Sequence, residues 1–401
     1  VTTRIGPVAD AAGLGRGAQR TAWHTPLVMF LALREMRRTK ARFGLVVAAV
    51  ALLVFLIFIQ LTLQNGLLTA FVGAIRNQSA PVLVYSVDGR RNLQGSVITP
   101  PLEAAITAVP EVGRAGRIGE GTFTATVDGD LADVALVGYE AEGLGSPTAL
   151  TAGRFPERDG EVVANEADAD LGLGLGDTVA LEPGGLELTV VGQAEDINLQ
   201  VTPTLFTTYD TYVAAVRSVN PDARDPLPNA IALTPAEGVT PDQLSAAVNA
   251  ADPEADALPR AAAADETPGV AQVRQSFQVI FLLYALVVPL VTGLFFLIIT
   301  FQKANALTLL RAVGAPARRL VAALLVQVVI VMAAGIALGT ALYAPLSVQR
   351  VGSIPLRFET RAVVVWTVVL MLLGVLSSLF SARRVLRIDP VEATTGAGVQ
   401  V

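Results

Sequence analysis

The chain has 401 residues, of which 52% are hydrophobic and 16% are charged. Soluble domains contain about 25% charged residues, so this composition predicts a membrane protein and not a soluble enzyme. The absence of cysteine excludes disulfides, thiol nucleophiles and cysteine metal sites, and the single histidine, His24, excludes a metal site built on two imidazoles.

The formal net charge of −6 is the sum of two opposite balances. Residues 81–270 hold 30 of the 35 acidic groups and 9 of the 29 basic groups, a balance of −21. The other 211 residues hold 5 acidic and 20 basic groups, a balance of +15, and they also contain the long apolar segments. A basic frame around apolar segments is typical of the parts of a membrane protein that stay close to the cytoplasm.

The chain is predicted to begin on the cytoplasmic side. Residues 1–26 are rich in Gly and Ala without periodicity, which predicts a flexible tail. Residues 27–42 have an apolar start and a basic end, which is typical of a helix on the inner leaflet or of a simple basic flank. Four uncharged segments can each cross about 30 Å of hydrocarbon, and they lie at residues 43–63, 279–301, 320–343 and 362–382.

Lys and Arg predict the orientation of these segments. Basic clusters precede the first span, separate the second from the third, and follow the fourth. The positive-inside rule therefore places both termini in the cytoplasm of a bacterium and residues 64–278 outside the cytoplasmic membrane. The outer loop 344–361 is an exception to this pattern, because it carries Arg350, Arg357 and Arg361. A cleaved signal peptide is the rival interpretation of the first span, but that span is longer than the apolar core of a signal peptide.

Apolar residues at helical spacing continue outwards from the first two spans. Residues 64–80 and 270–278 therefore predict helices that leave the bilayer and either pair as a stalk or remain ordinary juxtamembrane helices. The apolar positions are Leu63, Leu67, Phe71 and Ile75 on the first helix, and Val270, Val273, Phe277 and Ile280 on the second.

Residues 81–269 alternate short strand and helix patterns, which predicts an α+β domain inserted between spans one and two. Asp128-Gly129 predicts a hairpin turn. Thr99-Pro100 and Thr240-Pro241 each predict a helix start, and together they suggest a weak internal repeat. The Pro- and Ala-rich residues 251–269 are interpreted as the exit linker of the domain.

Several chemistries are disfavoured by missing residues. A Walker A loop requires Gly-Lys followed by Ser or Thr, whereas the only lysines, Lys40 and Lys303, are each followed by Ala. Gly172, Gly174 and Gly176 have the wrong spacing for a dinucleotide site and predict a turn. The acidic pairs lack the spacing of a metal loop and are interpreted as solvated surface; they include Asp168 with Asp170 and Glu195 with Asp196. The uncharged spans also disfavour an ion-coupled carrier.

The segment between spans two and three, residues 302–319, is amphipathic. Leu307, Leu310 and Val313 can share one helical face while the arginines project elsewhere, which is what a partner protein on the cytoplasmic side could bind and push. Two further patterns, Gly335 with Gly339 and Pro289 with Gly293, either allow close packing and bending within the spans or reflect the ordinary Gly and Pro content of membrane helices.

These motifs together resemble the FtsX/MacB-type (type VII, mechanotransmission) permease family of ABC transporters. Leu309-Leu310-Arg311-Ala312-Val313-Gly314-Ala315 resembles the LLRAxGA element of the family, although Asn305 and Ala306 stand where the family often has Arg-Glu. The C-terminal segment 383–401 begins with a motif similar to RRAxRLDPxEA, and Leu31-Ala32-Leu33-Arg34 resembles the N-terminal opening. Residues 152–156, 160–163, 175–179 and 189–192 are similar in order to a MacB-like outer core, and residues 55–63 look closest to the DevC-like branch.

The resemblance implies a function without catalysis in this chain. It implies a permease that transmits the ATP-driven motion of a separate ATPase subunit to the outer domain, for export or extraction of a lipid, lipoprotein, peptide or small hydrophobic compound. No cofactor is expected in this chain, because ATP and Mg²⁺ would bind the ATPase. The other implied partners are a second permease copy or paralogue, membrane lipid, and an outer membrane-fusion protein, lipoprotein or hydrolase; no nucleic acid is expected. The alternative is a non-transporting FtsX-like regulator that activates a cell-wall hydrolase. The implied ATPase-coupling residues are Leu307, Leu309, Leu310, Arg311, Val313, Gly314 and Ala315.

Overall fold

A computed structural model describes most of the chain, and its described residues are 40–222, 226–302, 317–347, 350–351 and 354–386. The chain divides into two compact units. The helical unit contains the described parts of residues 1–60, 279–346 and 359–401. The sheet unit contains the described parts of residues 61–278 and 347–358.

Four long helices confirm the predicted membrane protein with four spans. Each is long and apolar enough to cross a membrane. Helix α1 covers the predicted span 43–63 and most of the predicted stalk 64–80, with a kink at Val72. The second long helix likewise joins the predicted stalk to span two. The four helices are α1 (Lys40–Arg76), α6 (Val270–Gln302), α7 (Ala317–Tyr343) and α8 (Thr360–Leu386).

Within the helical unit, the two glycines of α7 allow close contact with α1. A Cβ atom at Gly339 would lie 2.6 Å from the carbonyl oxygen of Ala51, closer than real Cβ atoms approach, and Gly335 faces Val50 in the same way. The Oγ of Ser377 on α8 donates a 2.6 Å hydrogen bond to the carbonyl of Pro289 on α6. The predicted close packing at the glycine pair is therefore confirmed.

The sheet unit is built on a ten-stranded sheet with short helices. Its strands are β1 (Val82–Ser86), β2 (Val112–Val127), β3 (Asp130–Tyr139), β4 (Ala152–Gly153), β5 (Glu161–Asn165), β6 (Thr178–Glu182), β7 (Leu186–Ala194), β8 (Thr204–Thr208), β9 (Ala230–Pro235) and β10 (Ala255–Pro259). Its short helices are α2 (Pro100–Thr107), α3 (Tyr209–Val219), α4 (Pro241–Ala251) and α5 (Arg260–Asp265). A separate two-stranded hairpin pairs β11 (Arg350–Val351) with β12 (Ile354–Pro355).

One part of the sheet is a repeated strand-helix-strand unit. The strand order is β10-β1-β9-β2 with antiparallel neighbours, and α2 joins β1 to β2 as α4 joins β9 to β10. This is the split βαβ order of a ferredoxin-like fold. Thr99 and Thr240 cap the two helices, and Thr240 forms a full capping box with Gln243. The predicted repeat is confirmed, and the two helices bury the same face of the sheet.

The other part of the sheet, inserted between β2 and β9, closes into a ring. The strands β2-β3-β8-β5-β7 are joined back to β2 by β6, which pairs with both β7 and β2. Alternate side chains fill the interior, as expected for a small barrel. The turn between β2 and β3 uses Asp128 and Gly129 with φ values of 49° and 86°, so the predicted hairpin is confirmed.

Two assignments from the sequence are wrong. Residues 251–269 are not a linker, because they contain β10, which pairs with β1 over five residues, and helix α5, whose Ala263 and Ala264 are fully buried. A composition rich in alanine and proline is compatible with a linker, but alanine is also small enough to pack tightly in a core, as it does here. Asp168 is not solvated: it has no exposed surface and accepts a 2.8 Å hydrogen bond from Nδ2 of Asn198.

A second buried acid lies on β2. Glu120 is 5% exposed, and its Oε2 has no hydrogen-bond partner. Its backbone is well bonded, because its N–H donates to Oδ1 of Asn229 and its carbonyl accepts from the hydroxyl of Tyr212. Burial raises the pKa of the Glu120 carboxyl from 4.5 to about 7.

Candidate functional site

The segments that lead from the sheet unit towards the membrane helices meet inside that unit. We call this region the junction and define it as residues 61–78, 195–202, 260–278 and Arg357. Its apolar part is one buried cluster against the face of the sheet opposite to α2 and α4, and the cluster contains Leu68, Val72, Ile75, Leu199 and Val270.

Helix α1 is kinked where it enters the junction. Val72 has φ −129° and ψ 15°, which is not helical. The loop 195–202 supplies backbone bonds at this point: the N–H of Ala74 donates to Asn198, and the carbonyls of Ala70 and Phe71 accept from Val201 and Gln200 at 2.9 Å. In an uninterrupted helix, the Ala70 carbonyl would accept from Ala74 itself. The kink is therefore an exchange of helical hydrogen bonds for bonds to the loop.

The contact between α1 and the loop is close enough to require glycine. A Cβ atom at Gly73 would overlap the carbonyl oxygen of Asp196. The same carbonyl accepts a 2.7 Å hydrogen bond from Nδ2 of Asn77, just past the end of α1. Asp196 therefore holds the last turn of α1 with its backbone.

The loop has an unusual conformation that buried polar groups maintain. Asp196, Gln200 and Val201 have positive φ values of 57°, 50° and 64°. A β-branched residue such as Val201 rarely adopts this conformation, so the surroundings must stabilise it. Asn198 bridges the buried Asp168 and the N–H of Thr204, and each bond is within 3.2 Å. The burial of Asp168 thus serves to hold this loop.

One side chain from the connection between α7 and α8 also reaches the loop. Nη1 of Arg357 lies 2.7 Å from Oδ2 of Asp196 and 2.8 Å from Oε1 of Glu195. Burial raises the pKa of the Asp196 carboxyl; the Arg357 guanidinium opposes this rise and the neighbouring Glu195 adds to it. In the sequence, Arg357 is one of three arginines by which the outer loop departs from the charge rule, and no local pattern links it to residues 195 and 196.

A further ion-pair group ties the beginning of α6 to the end of α1. Oδ1 of Asp265 accepts from Arg76 at 3.1 Å and from Arg274 at 3.0 Å. Phe71 and Val273 pack against the same apolar cluster. The two segments predicted as a stalk are therefore part of the packed unit. Of the predicted stripe on α1, Ile75 is buried and Phe71 packs against the cluster, and Leu68 and Val72 are buried beside them.

The predicted coupling residues lie outside the described part of the chain. Leu307, Leu309, Leu310, Arg311, Val313, Gly314 and Ala315 fall within residues 303–316. Among the described residues, no group of three or more His, Asp or Glu side chains could hold a metal ion. The junction is built from two helices, a loop with positive φ values and ion pairs.

Comparison with known proteins identifies similar permeases. No protein-family model matches the chain. The chain is 28% identical over 110 residues to a predicted hemin transport system permease protein, HrtB, of Staphylococcus haemolyticus, and 24% identical over 111 residues to HrtB of Staphylococcus epidermidis. The matched residues make up 27% and 28% of this chain. They span about a third of the length of the two relatives, 31% and 32% respectively. The resemblance to the permease family is confirmed.

Two solved structures are similar to part of the chain at low TM-scores. The periplasmic region of MacB from Actinobacillus actinomycetemcomitans has a TM-score of 0.34 and 14% identity, and it covers 47% of this chain and 92% of that structure. The extracellular domain of the noncanonic ABC-type transporter YknZ from Gram-positive bacteria has a TM-score of 0.32 and 11% identity, and it covers 44% of this chain and 98% of that structure.

Proposed function

We propose, from the similarity of this chain to FtsX/MacB-type permeases, that it is the permease subunit of an ABC transporter. A separate ATPase would hydrolyse ATP, and this chain would carry the resulting motion across the membrane to the sheet unit. The observation that supports this proposal most directly is the junction, in which both helices that enter the sheet unit from the membrane spans are built into its core.

The geometry of the junction suits the transmission of force. A helix resists bending over its length, but motion of α1 is passed on only if its end is fixed to the domain. The bonds from Ala70, Phe71 and Ala74 to the loop provide that attachment, and the Asp265 ion pairs join α1 to α6. A push along either helix would therefore act on the whole sheet unit and not on a flexible tether.

The charge distribution supports the orientation in which the sheet unit lies outside. Residues 81–270 carry a balance of −21, whereas basic residues flank the spans at the termini and between α6 and α7. In this orientation residues 303–316 face the cytoplasm. We propose that the coupling residues there receive the motion of the ATPase, with Leu310 and Val313 on the contact face.

The cargo is proposed to be hydrophobic or amphipathic, in the class of lipids, lipoproteins, peptides or small hydrophobic compounds. Hemin, the cargo named for the similar HrtB proteins, belongs to the last group and is the first compound to test. The chain contains one histidine and no cysteine, so it offers few of the usual iron ligands. We therefore expect any hemin to be handled as a flat apolar molecule.

The test is an activity assay of this chain reconstituted with an ABC ATPase that co-purifies with it. Leu310→Asp should lower the ATPase stimulation by the permease at least tenfold, because a carboxylate would be placed in an apolar contact. Thr308→Asp is the matched control, since it adds the same charge away from the predicted face. Equal stimulation by wild type and Leu310→Asp would contradict the coupling assignment.

The orientation has its own test. Protease added to the outside of intact spheroplasts should cut within residues 81–270 and spare residues 303–316. Cleavage in the opposite pattern would contradict the proposed topology.

A further inference from the structure

We propose that Arg357, Glu195 and Asp196 form an ionic clamp through which the connection between α7 and α8 holds the end of α1. This inference deepens the proposed function, on which it rests, because it adds a third route by which helix motion reaches the sheet unit. It assigns a positioning role to Arg357, which acts on α1 through the loop 195–202.

In the clamp, two negatively charged side chains share one positively charged side chain. Glu195 and Asp196 are adjacent acids, and a single nitrogen of Arg357 lies within 2.8 Å of a carboxylate oxygen of each. The Asp196 side chain is the less exposed of the two, 23% against 56%. Its Oδ1 is buried without a hydrogen-bond partner, so Oδ2 and its bond to Arg357 carry the stabilisation of this carboxylate.

Asp196 connects the clamp to α1 because its side chain and backbone face different partners. The side chain binds Arg357, while the carbonyl oxygen binds Asn77 and lies against Gly73. The positive φ of Asp196 presents the two groups in this way, and aspartate tolerates that conformation better than most residues. Movement of Arg357 would therefore displace the carbonyl that touches the last turn of α1.

Beyond Asp196, three more residues of the loop are hydrogen-bonded to the kinked turn of α1. The carbonyl of Asn198 accepts from α1, and the N–H groups of Gln200 and Val201 donate to it. Loss of Arg357 would leave two adjacent carboxylates to repel one another, one of them partly buried. The loop would relieve this repulsion by opening, and opening breaks the bonds to α1. The amides of Ala74 and Gln200 therefore report on the clamp.

The first experiment is hydrogen exchange of the full chain in lipid nanodiscs. Arg357→Gln, which removes the charge and keeps most of the side-chain length, should raise the exchange rates of the Ala74 and Gln200 amides about fivefold, the effect expected for one partly exposed ion pair. Arg361→Gln is the matched control, because it removes the same charge four residues away on an exposed position of α8. Unchanged exchange in Arg357→Gln, or an equal increase in Arg361→Gln, would overturn the clamp.

A double-mutant cycle tests whether Arg357 acts through Asp196. Asp196→Asn keeps the backbone conformation, since asparagine also tolerates positive φ, and it removes the charge. It should raise the same two exchange rates, and adding it to Arg357→Gln should have less effect than the product of the single changes. Independent, multiplicative effects would overturn the assignment to this pair.

The outcomes separate the clamp from the proposed function. Hydrogen exchange needs no ATPase, so it tests the clamp even if Leu310→Asp leaves ATPase stimulation unchanged and the permease role fails. If the permease role holds, Arg357→Gln should lower cargo-dependent ATPase stimulation several-fold, with the Arg361→Gln protein close to wild type. Full stimulation in Arg357→Gln would overturn the role of the clamp in transmission.

Discussion

The buried acid Glu120 makes the stability of the sheet unit depend on pH in a way that one substitution should remove. Its pKa is raised from 4.5 to about 7 because burial penalises the carboxylate. Folding therefore favours the protonated acid. The contribution of Glu120 to stability is fully present below pH 4.5, and it is lost as the pH rises through 7.

The magnitude follows from the size of the pKa shift. A rise from 4.5 to about 7 corresponds to about 3 kcal/mol at 1.36 kcal/mol per pH unit, nearly all of it lost between pH 4 and pH 8. Glu120→Gln preserves the shape and cannot ionise. Other groups titrate alike in both proteins, so the unfolding free energy of the variant relative to wild type should increase by about 3 kcal/mol over this range. For a unit of this size, that is about 6 to 12 °C in Tm.

The assay is thermal unfolding of the full chain in detergent at pH 4 and pH 8. Near-UV circular dichroism is suitable, because Tyr85, Tyr139 and Tyr212 are buried in the sheet unit. Glu237→Gln serves as the comparison that removes a carboxylate from the exposed surface. The reasoning is refuted if Tm changes by the same number of degrees between pH 4 and pH 8 in wild type and in Glu120→Gln. That result would mean that Glu120 is ionised in the folded protein at little cost.

Two further substitutions test local packing and capping. Gly339→Leu should destabilise the helical unit by about 1 to 3 kcal/mol or more and lower its Tm, because the new Cβ would lie 2.6 Å from the Ala51 carbonyl oxygen. Gly44→Leu is the control and should change the Tm much less, because a Cβ there meets nothing within 4 Å. Thr240→Ala should cost about 1 kcal/mol in urea unfolding, because it removes the capping box of α4. Equal Tm values for the two glycine variants, or an unchanged urea midpoint for Thr240→Ala, would contradict these interpretations.

Features with a local physical cause were predictable from the sequence. The Asp128-Gly129 turn and the helix start at Thr240-Pro241 are set by residues a few positions apart, and both occur as predicted. The glycine pair in α7 was predicted as a packing site because small residues allow helices to approach each other. Its partner helix, α1, was not predictable, since nothing in residues 335–339 indicates which helix they will face.

The candidate site was largely unpredictable for the opposite reason. Arg357 and Asp196 are 161 residues apart, and both were interpreted from their neighbours in the chain, one as an exception to the charge rule and the other as solvated surface. On α1, the predicted Ile75 is buried, but Leu68 and Val72 are more deeply buried than the predicted Leu67 and Phe71. A kink at Val72 alters the helical register there, and that kink depends on bonds from a distant loop.

The amino-acid sequence was sufficient for the four spans, the inserted α+β domain and the contrast between −21 in residues 81–270 and +15 elsewhere, because apolar length and net charge are sums over neighbouring residues. Tertiary structure decided which of those charges are solvated and which are buried. Asp168 and Glu120 look like surface acids in the sequence, yet each is enclosed by strands and loops from distant parts of the chain. The free energy of a charge depends on what surrounds it in space. For Asp168 those surroundings include Asn198, 30 residues away, and for Glu120 they include Asn229 and Tyr212, 109 and 92 residues away.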